Sequence, residues 1–163
     1  MKEINFYKYN RIFGIIAGLF SFVIFSLTVE PTASYWDCAE YISTSAKLQI
    51  GHPPGAPLFQ MLGAIFSILA FDVTQIAYAV NMMSVTSSAL TIMFLFWSIS
   101  LIAKEILKVK EIVKVSEAIK IFGSSFLGSI TFTFTDSFWY NAVEAEVYAC
   151  LLYTSDAADE PRC

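Results

Sequence analysis

Two carboxylates in a polar segment are the residues best suited to chemistry. Asp37 and Glu40 lie three positions apart in the stretch SYWDCAEY, and this spacing places both on one face if the segment is helical. Two neighbouring carboxylates can hold a divalent cation, or one of them can act as a general base. Mutual repulsion and a low-dielectric lipid surface are expected to raise a carboxyl pKa toward neutrality, which suits a base.

Two basic residues follow the acidic pair. Lys47 and His52 could contact an anionic phosphate group. The stretch 53–55, Pro-Pro-Gly, is stiff because proline fixes its φ angle and disfavours the α conformation at the residue before it. We therefore expect His52 at the start of the next helix rather than inside one. An exposed histidine in a plain turn is the alternative.

Asp37 also has a purely structural explanation. Ser34 stands where a helix N-cap is expected, and Asp37 follows it by three positions, as in a capping box. A carboxylate near a helix N-terminus is stabilised by the helix dipole without any catalytic role.

A second acidic set comes late in the chain. Asp136, Glu144 and Glu146 follow the last apolar run and are secondary candidates for the site. Glu144 and Glu146 would point to different faces of a helix, so we do not expect them to act as a pair. Each is equally compatible with a solvated surface position.

The composition is typical of a membrane protein. Of 163 residues, 56% are hydrophobic and 15% are charged, against about 25% charged in soluble domains. The net charge of −4 and the lack of a basic cluster exclude nucleic acid as the expected partner. Apolar runs predict three transmembrane helices, at about 12–29, 76–103 and 119–135, in an all-α integral membrane fold.

Basic residues predict the orientation of these helices. The N-terminus and the stretch 104–120, predicted as helical, are rich in Lys and Arg, and such segments favour the cytoplasm. Two cytoplasmic segments are separated by an even number of membrane crossings, and runs 12–29 and 76–103 are the two crossings expected here. Segments 36–48 and 56–71 are then juxtamembrane helices at the outer face, to which the last run returns. If 56–71 crossed instead, the Lys-rich stretch would lie outside.

Two long motifs carry a family resemblance. YWDCAEYISTSAKLQIGHPPGAPLF and FTDSFWYNAVEAEVYA resemble the N-terminal part of a bacterial membrane family catalogued as domain of unknown function 2723. That family is similar to the eukaryotic transmembrane O-mannosyltransferases. The resemblance covers about residues 8–149 and implies the N-terminal part of a GT-C glycosyltransferase fold with many membrane helices.

The resemblance also implies an activity. Such enzymes move a sugar, with mannose as the candidate here, from a polyprenyl-phosphate donor to a hydroxyl of a protein or glycan. Their catalytic acidic residue lies in the first outer loop, where this chain has Asp37 and Glu40. An element like His52-Pro-Pro follows that loop in related transferases. Lys47 and His52 would bind the donor phosphate, and Asp37 and Glu40 could share a divalent cation. The protein would lie in the bacterial inner membrane, in contact with membrane lipids.

The last residues suggest a different origin. CLLYTSDAADE, which begins at Cys150, back-translates without a gap to DNA resembling the transposon-end adapter of sequencing libraries. Residues 150–163 are therefore predicted not to be natural protein, and Cys150 and Cys163 to have no role. Residues 1–149 would be a fragment of a longer enzyme, inactive alone because three spans cannot enclose a donor pocket and an acceptor groove.

A non-catalytic function is the alternative. The protein could be a membrane scaffold or a transporter component whose outer loop binds lipid headgroups. An acidic residue within a span would favour a transporter. The three apolar runs contain none, which favours chemistry at the membrane surface.

Overall fold

A computed structural model describes residues 3–35, 37–52 and 56–146 and is mostly helical. Its elements, in chain order, are β1 (Glu3–Asn5), α1 (Phe6–Thr28), α2 (Cys38–Lys47), α3 (Pro57–Ile68), a 3-10 turn (Val73–Gln75), α4 (Ile76–Ile106), β2 (Ile112–Lys114), α5 (Val115–Thr133) and α6 (Asp136–Val143). The chain forms two compact units, one of Met1–Ile24 with Ala89–Phe138 and one of Phe25–Ser88 with Trp139–Cys163.

Two of the described helices are long and apolar enough to cross a membrane. They are Phe6–Thr28, of 23 residues, and Val73–Ile106, of 34 residues, and at 1.5 Å per residue each exceeds the roughly 30 Å of a bilayer core. Large apolar side chains remain exposed along the first of them: Ile12, Ile15, Ile16, Leu19, Val23 and Leu27. A continuous apolar surface of this kind suits lipid rather than water.

Both helices begin or end outside the ranges that hydropathy predicts. α1 begins before residue 12 because the Asn5 carboxamide oxygen accepts the Lys8 backbone N–H at 3.0 Å, which caps the first turn. Lys8 and Arg11 are exposed residues within this helix, so their charges do not end it. α4 likewise continues past residue 103, to Ile106.

The third predicted span is present as α5, but it is not one of the two strongly apolar helices. Its sequence carries Glu117 and Lys120 and many Ser, Thr and Gly residues, which lower its hydropathy. Its hydroxyl-bearing Ser125, Ser129 and Thr133 repeat every four residues and are fully buried. Small polar residues on an inward face are typical of helix contacts in membranes, so the crossing by α5 stays a prediction.

Within the first unit, polar contacts join α1 to both α4 and α5. The Asn10 carbonyl accepts the Trp97 indole N–H at 3.1 Å, and the Ser100 hydroxyl donates to the Asn10 side chain at 2.6 Å. The Ser21 and Thr133 hydroxyl oxygens lie 3.0 Å apart. The apolar core of this unit consists of Phe6, Ala17, Ile92, Phe96, Val113, Ala118, Ile121 and Phe122.

A two-stranded sheet joins the start of the chain to the Lys-rich stretch. β1 and β2 are antiparallel, with Glu3 opposite Lys114 and Asn5 opposite Ile112. The prediction of one continuous helix across 104–120 is therefore wrong, because the chain turns between α4 and α5. The two basic segments lie side by side in this sheet.

In the second unit, α2 and α3 pack closely against each other. A Cβ added to Gly63 of α3 would lie 2.8 Å from the Ser45 Cβ of α2, so only glycine allows this approach. The shared core contains Cys38, Ile42, Ala56, Phe59, Val80, Met83 and Ala145. At 12 residues, or about 18 Å, α3 is too short to span a bilayer.

Several local predictions need correction. α2 is shorter than the predicted 36–48, and α3 is shorter than 56–71, with a proline in its first turn. The capping box led by Ser34 is wrong, because Asp37 is the N-cap residue and makes no side-chain capping bond. The Ser34 hydroxyl instead donates to the Glu144 carboxylate. Glu144 and Glu146 follow α6 rather than lying in a helix.

Three features of the sequence lie outside the described residues. These are Trp36, the Pro53-Pro54-Gly55 element and the predicted adapter-derived tail, 150–163. The predictions made for them are not tested by the structure.

Candidate active site

A left-handed residue at the end of α2 brings His52 back toward the acidic pair. Leu48 has φ 48° and ψ 47°, a conformation that ends a helix by turning the chain back. The Gln49 backbone N–H donates to the Thr44 carbonyl at 2.8 Å, which fixes this turn. The following residues return along α2 and end with His52 beside the first turn of the helix.

His52 contacts both predicted catalytic carboxylates. Its backbone N–H donates to Glu40 Oε1 at 2.7 Å, and its Nδ1 lies 2.9 Å from Glu40 Oε2. Its Nε2 lies 3.8 Å from Asp37 Oδ2. The Glu40 carboxylate therefore holds the backbone and the ring of one residue at once, and directs the other ring nitrogen toward Asp37.

The close approach depends on a small residue. A Cβ added to Gly51 would lie 2.9 Å from the Gln60 Nε2 and 3.3 Å from Glu40 Oε1. Gln60 itself is buried and donates to the Thr44 hydroxyl at 3.2 Å. α3 thus supports the turn that carries His52.

Hydrogen bonds set the charge states of the pair. The pKa of Glu40 is lowered, first by the His52 backbone N–H and then by the His52 ring. The pKa of His52 is raised, first by its hydrogen bond to Glu40 and then by the charge of Glu40, with a smaller effect of Asp37. The expected raised carboxyl pKa is therefore wrong for Glu40, because its hydrogen bonds to His52 outweigh the effect of desolvation.

The direction of each shift defines a pH window for the ion pair. The lowered pKa of Glu40 stabilises the fold above the ordinary value of about 4.5, and this effect is lost as the pH falls through the lowered pKa. The raised pKa of His52 stabilises it below about 6.5, and this effect is lost as the pH rises through the raised pKa. Both residues are charged between these limits.

Solvent reaches all three side chains. The exposed side-chain fractions are 46% for His52, 52% for Asp37 and 38% for Glu40. A substrate could therefore reach the free face of His52 and Asp37. The ligand atoms of the three residues lie within 4.8 Å of one another, so they also fit a divalent cation that prefers carboxylate and imidazole ligands.

Lys47 is the predicted phosphate ligand that the structure does not bring to the cluster. It is the last residue of α2 and is exposed. Among the residues that the structure describes, it forms no hydrogen bond or ion pair. A cation at a helix C-terminus is stabilised by the dipole alone.

The second acidic set is spread over two positions. Asp136 is the exposed first residue of α6. Glu144 accepts the Ser34 hydroxyl, and the Glu30 backbone N–H donates to the Val143 carbonyl at 2.9 Å. The segments after α1 and α6 are therefore neighbours.

Sequence reasoning assigned His52 to phosphate and missed its place beside Glu40. The only available signal was the histidine, 12 residues after the glutamate, and periodicity cannot reveal a left-handed turn between them. It also gave no role to Gln60, whose buried amide supports the turn.

The match to a known family decides the relationship. Residues 37–155 match the family described as "Protein O-mannosyl-transferase TMEM260 N-terminal domain". The chain belongs to this family. The matched range of the TMEM260 N-terminal domain includes every candidate site residue named above and ends within the predicted tail.

Two relatives bear the same family name. Protein O-mannosyl-transferase tmem260 of Dictyostelium discoideum is 26% identical over 128 residues, which are 78% of this chain and 14% of the relative. Protein O-mannosyl-transferase TMEM260 of Mus musculus is 32% identical over 76 residues, which are 47% of this chain and 11% of the relative. The chain thus spans a small part of the length of both. No solved structure matches it.

Proposed function

We propose that the whole protein is a membrane O-mannosyltransferase with its active site at Asp37, Glu40 and His52. It would move mannose from a polyprenyl-phosphate donor to a hydroxyl of a protein acceptor. The observation that carries this proposal is the joint approach of His52 to both carboxylates, within the range matched by the TMEM260 N-terminal domain. Family membership supplies the reaction type, and the cluster supplies the groups for it.

Asp37 is the proposed general base. Its carboxylate is the most exposed of the three and is held only loosely by His52, at 3.8 Å. It takes the proton of the acceptor hydroxyl while the hydroxyl oxygen forms a bond to the anomeric carbon of the sugar. The bond from that carbon to the phosphate oxygen breaks, and polyprenyl phosphate leaves with the bonding electrons. A positioned base typically accelerates such a step by about 10²–10⁴-fold.

Protonated His52 is the proposed group that stabilises the leaving phosphate. Glu40 favours the protonated form by raising the pKa of His52, and it holds both the backbone N–H and the ring Nδ1 of that residue. A preoriented positive charge next to developing negative charge is an effective form of catalysis. Lys47 would contribute a second, more distant positive charge to the bound donor.

A divalent cation is a second candidate for the same cluster. The common approach of the three ligand atoms favours it, and a bound cation would neutralise charge on the leaving phosphate. Binding it requires Glu40 to release His52, because one carboxylate cannot serve both fully. Loss of transfer in EDTA with recovery in Mn²⁺ or Mg²⁺ would select the cation, and unchanged transfer in EDTA would select the ion pair.

The proposed setting is the outer face of a membrane. α1 and the helix Val73–Ile106 would cross it, and α5 would form a third span with its hydroxyl groups turned inward. The exposed stripe on α3, formed by Leu58, Met61, Ile65 and Ile68, would lie along the surface. We propose the bacterial cytoplasmic membrane and a GT-C fold on the motif resemblance, with the N-terminus inside.

The direct test is Asp37→Asn in the full-length protein. We expect mannosyl transfer to fall about 100-fold or more, because the amide cannot accept the acceptor proton. Glu105→Gln is the control, an exposed carboxylate of the Lys-rich stretch that belongs to neither acidic set and is expected to leave transfer unchanged. Equal transfer by the two variants would remove Asp37 from the reaction.

A further inference from the structure

A fully buried asparagine of α4 reaches the segment that leads to Asp37. Asn81 has no exposed surface and lies in the second turn of the helix. Its Nδ2 donates to the Glu30 carbonyl at 2.7 Å and to the Thr32 carbonyl at 2.9 Å. Both N–H groups of the amide are thus used on backbone oxygens of one segment.

The other side of the same amide faces the far end of that segment. The Cys38 Sγ lies 4.0 Å from Asn81 Oδ1, and Cys38 is the buried residue next to Asp37. One side chain therefore contacts both the beginning and the end of the stretch 30–38.

This stretch has few other restraints. Its described residues before α2 belong to no helix or strand, so they have no regular ladder of backbone hydrogen bonds. The Glu30 N–H donates to the Val143 carbonyl and the Ser34 hydroxyl to Glu144. Backbone carbonyl groups need donors, and the buried amide of Asn81 supplies two of them to this segment from a helix.

We propose that Asn81 is a positioning residue for the active site: it fixes segment 30–38 and thereby the place of the Asp37 carboxylate. This role rests on the proposed function, since Asp37 is the base in that reaction. Removing the amide leaves two carbonyl groups without their donors, and the segment relaxes. A displacement of about 1 Å in a reacting group can lower a rate about 100-fold.

The test compares three variants of the full-length protein. Asn81→Asp keeps the shape and removes both donors, and Asn81→Leu also removes the acceptor. Ser84→Ala is the matched control, because Ser84 is fully buried one turn further along α4 and its hydroxyl has no partner among the described residues. We expect both Asn81 variants to lower kcat about tenfold to 100-fold, with a smaller change in the donor KM, and Ser84→Ala to change kcat less than about twofold.

Hydrogen–deuterium exchange gives a readout that does not need activity. The amides of 30–38 should exchange about tenfold faster in Asn81→Asp, while those of α5 keep their wild-type rates. If the wild type transfers no mannose, the proposed function fails, and the exchange rates still decide the positioning role. If Asn81→Leu does not fold, the isosteric Asn81→Asp decides. Wild-type exchange of 30–38 in that variant overturns the proposal, as does wild-type kcat in an active enzyme.

Discussion

Two polar regions of the molecule differ in their exposure to solvent. The hydroxyl contact between α1 and α5 is buried, whereas the cluster around His52 is exposed. Ser21 and Thr133 are fully buried and uncharged, with their oxygens 3.0 Å apart. His52 and its two carboxylates are charged and more than one-third exposed. The buried contact can only hold helices together, whereas the exposed cluster can exchange partners with protons, cations or substrate. Polarity alone does not identify a reactive site, because access to solvent separates the two cases.

Among the variants that test this comparison, the largest effect is expected where the negative charge beside His52 is removed. Glu40→Gln keeps the size of the side chain and removes its charge, so the pKa of His52 should fall back toward about 6.5. We expect mannosyl transfer by the full-length protein to fall about tenfold at pH 7.5 and less at pH 6. Complete pH–rate profiles of the variant and the wild type measure this.

Glu105→Gln is the control for this change, since Glu105 is exposed in the Lys-rich stretch and outside the cluster. Its profile should superimpose on that of the wild type. Parallel profiles for Glu40→Gln and the wild type would contradict the charged role of His52.

A smaller effect is expected at the buried contact, and it should not depend on pH. Ser21→Ala or Thr133→Val should each lower the free energy of unfolding by about 1 kcal/mol. Each remaining hydroxyl still donates to a carbonyl of its own helix, at 3.1 Å in both cases, so neither is left without a partner. The double variant should lose less than the sum of the two.

Thermal unfolding in detergent micelles, with Ser124→Ala as the exposed control, measures these differences. Strict additivity of the two substitutions would show that the hydroxyl groups do not interact. If the loss in the free energy of unfolding depended strongly on pH, the contrast between the buried and the exposed region would not hold.

The smallest effect is expected for Lys47. Because this residue is exposed and lies outside the described cluster, Lys47→Gln should raise the donor KM only about twofold. Added salt should reduce the difference further, since exposed charges are screened. A loss of transfer as large as that expected for Glu40→Gln would place Lys47 at the donor phosphate itself. Initial rates over a donor concentration series measure both.

The sequence predicted the long helices because uncharged runs have only one stable form in lipid. It misplaced the ends of these helices because capping depends on single side chains such as Asn5, and hydropathy does not report on capping. It predicted the acidic pair and His52 as site residues, since only 15% of the residues in this apolar chain are charged. α5 was harder to assess, because hydroxyl groups that lower its hydropathy are buried, with Thr133 in contact with Ser21 of α1.

Contacts between distant residues could not be predicted from local patterns. Ser34 has the spacing of a capping residue, yet its hydroxyl bonds to Glu144, 110 positions later. The left-handed conformation of Leu48 is equally hidden, because leucine rarely adopts it. Asn81 lies in an apolar run, and nothing local indicates that its amide serves a segment 50 residues earlier.

The small sheet has a consequence for how the chain is made. β1 leaves the ribosome long before β2, with roughly a hundred residues between them, and at synthesis rates of about 5–20 residues per second this delay lasts several seconds or more. The first strand therefore has no partner while the helices between the two strands are being synthesised. The sheet can therefore form only after those helices have been made, as a late step in folding.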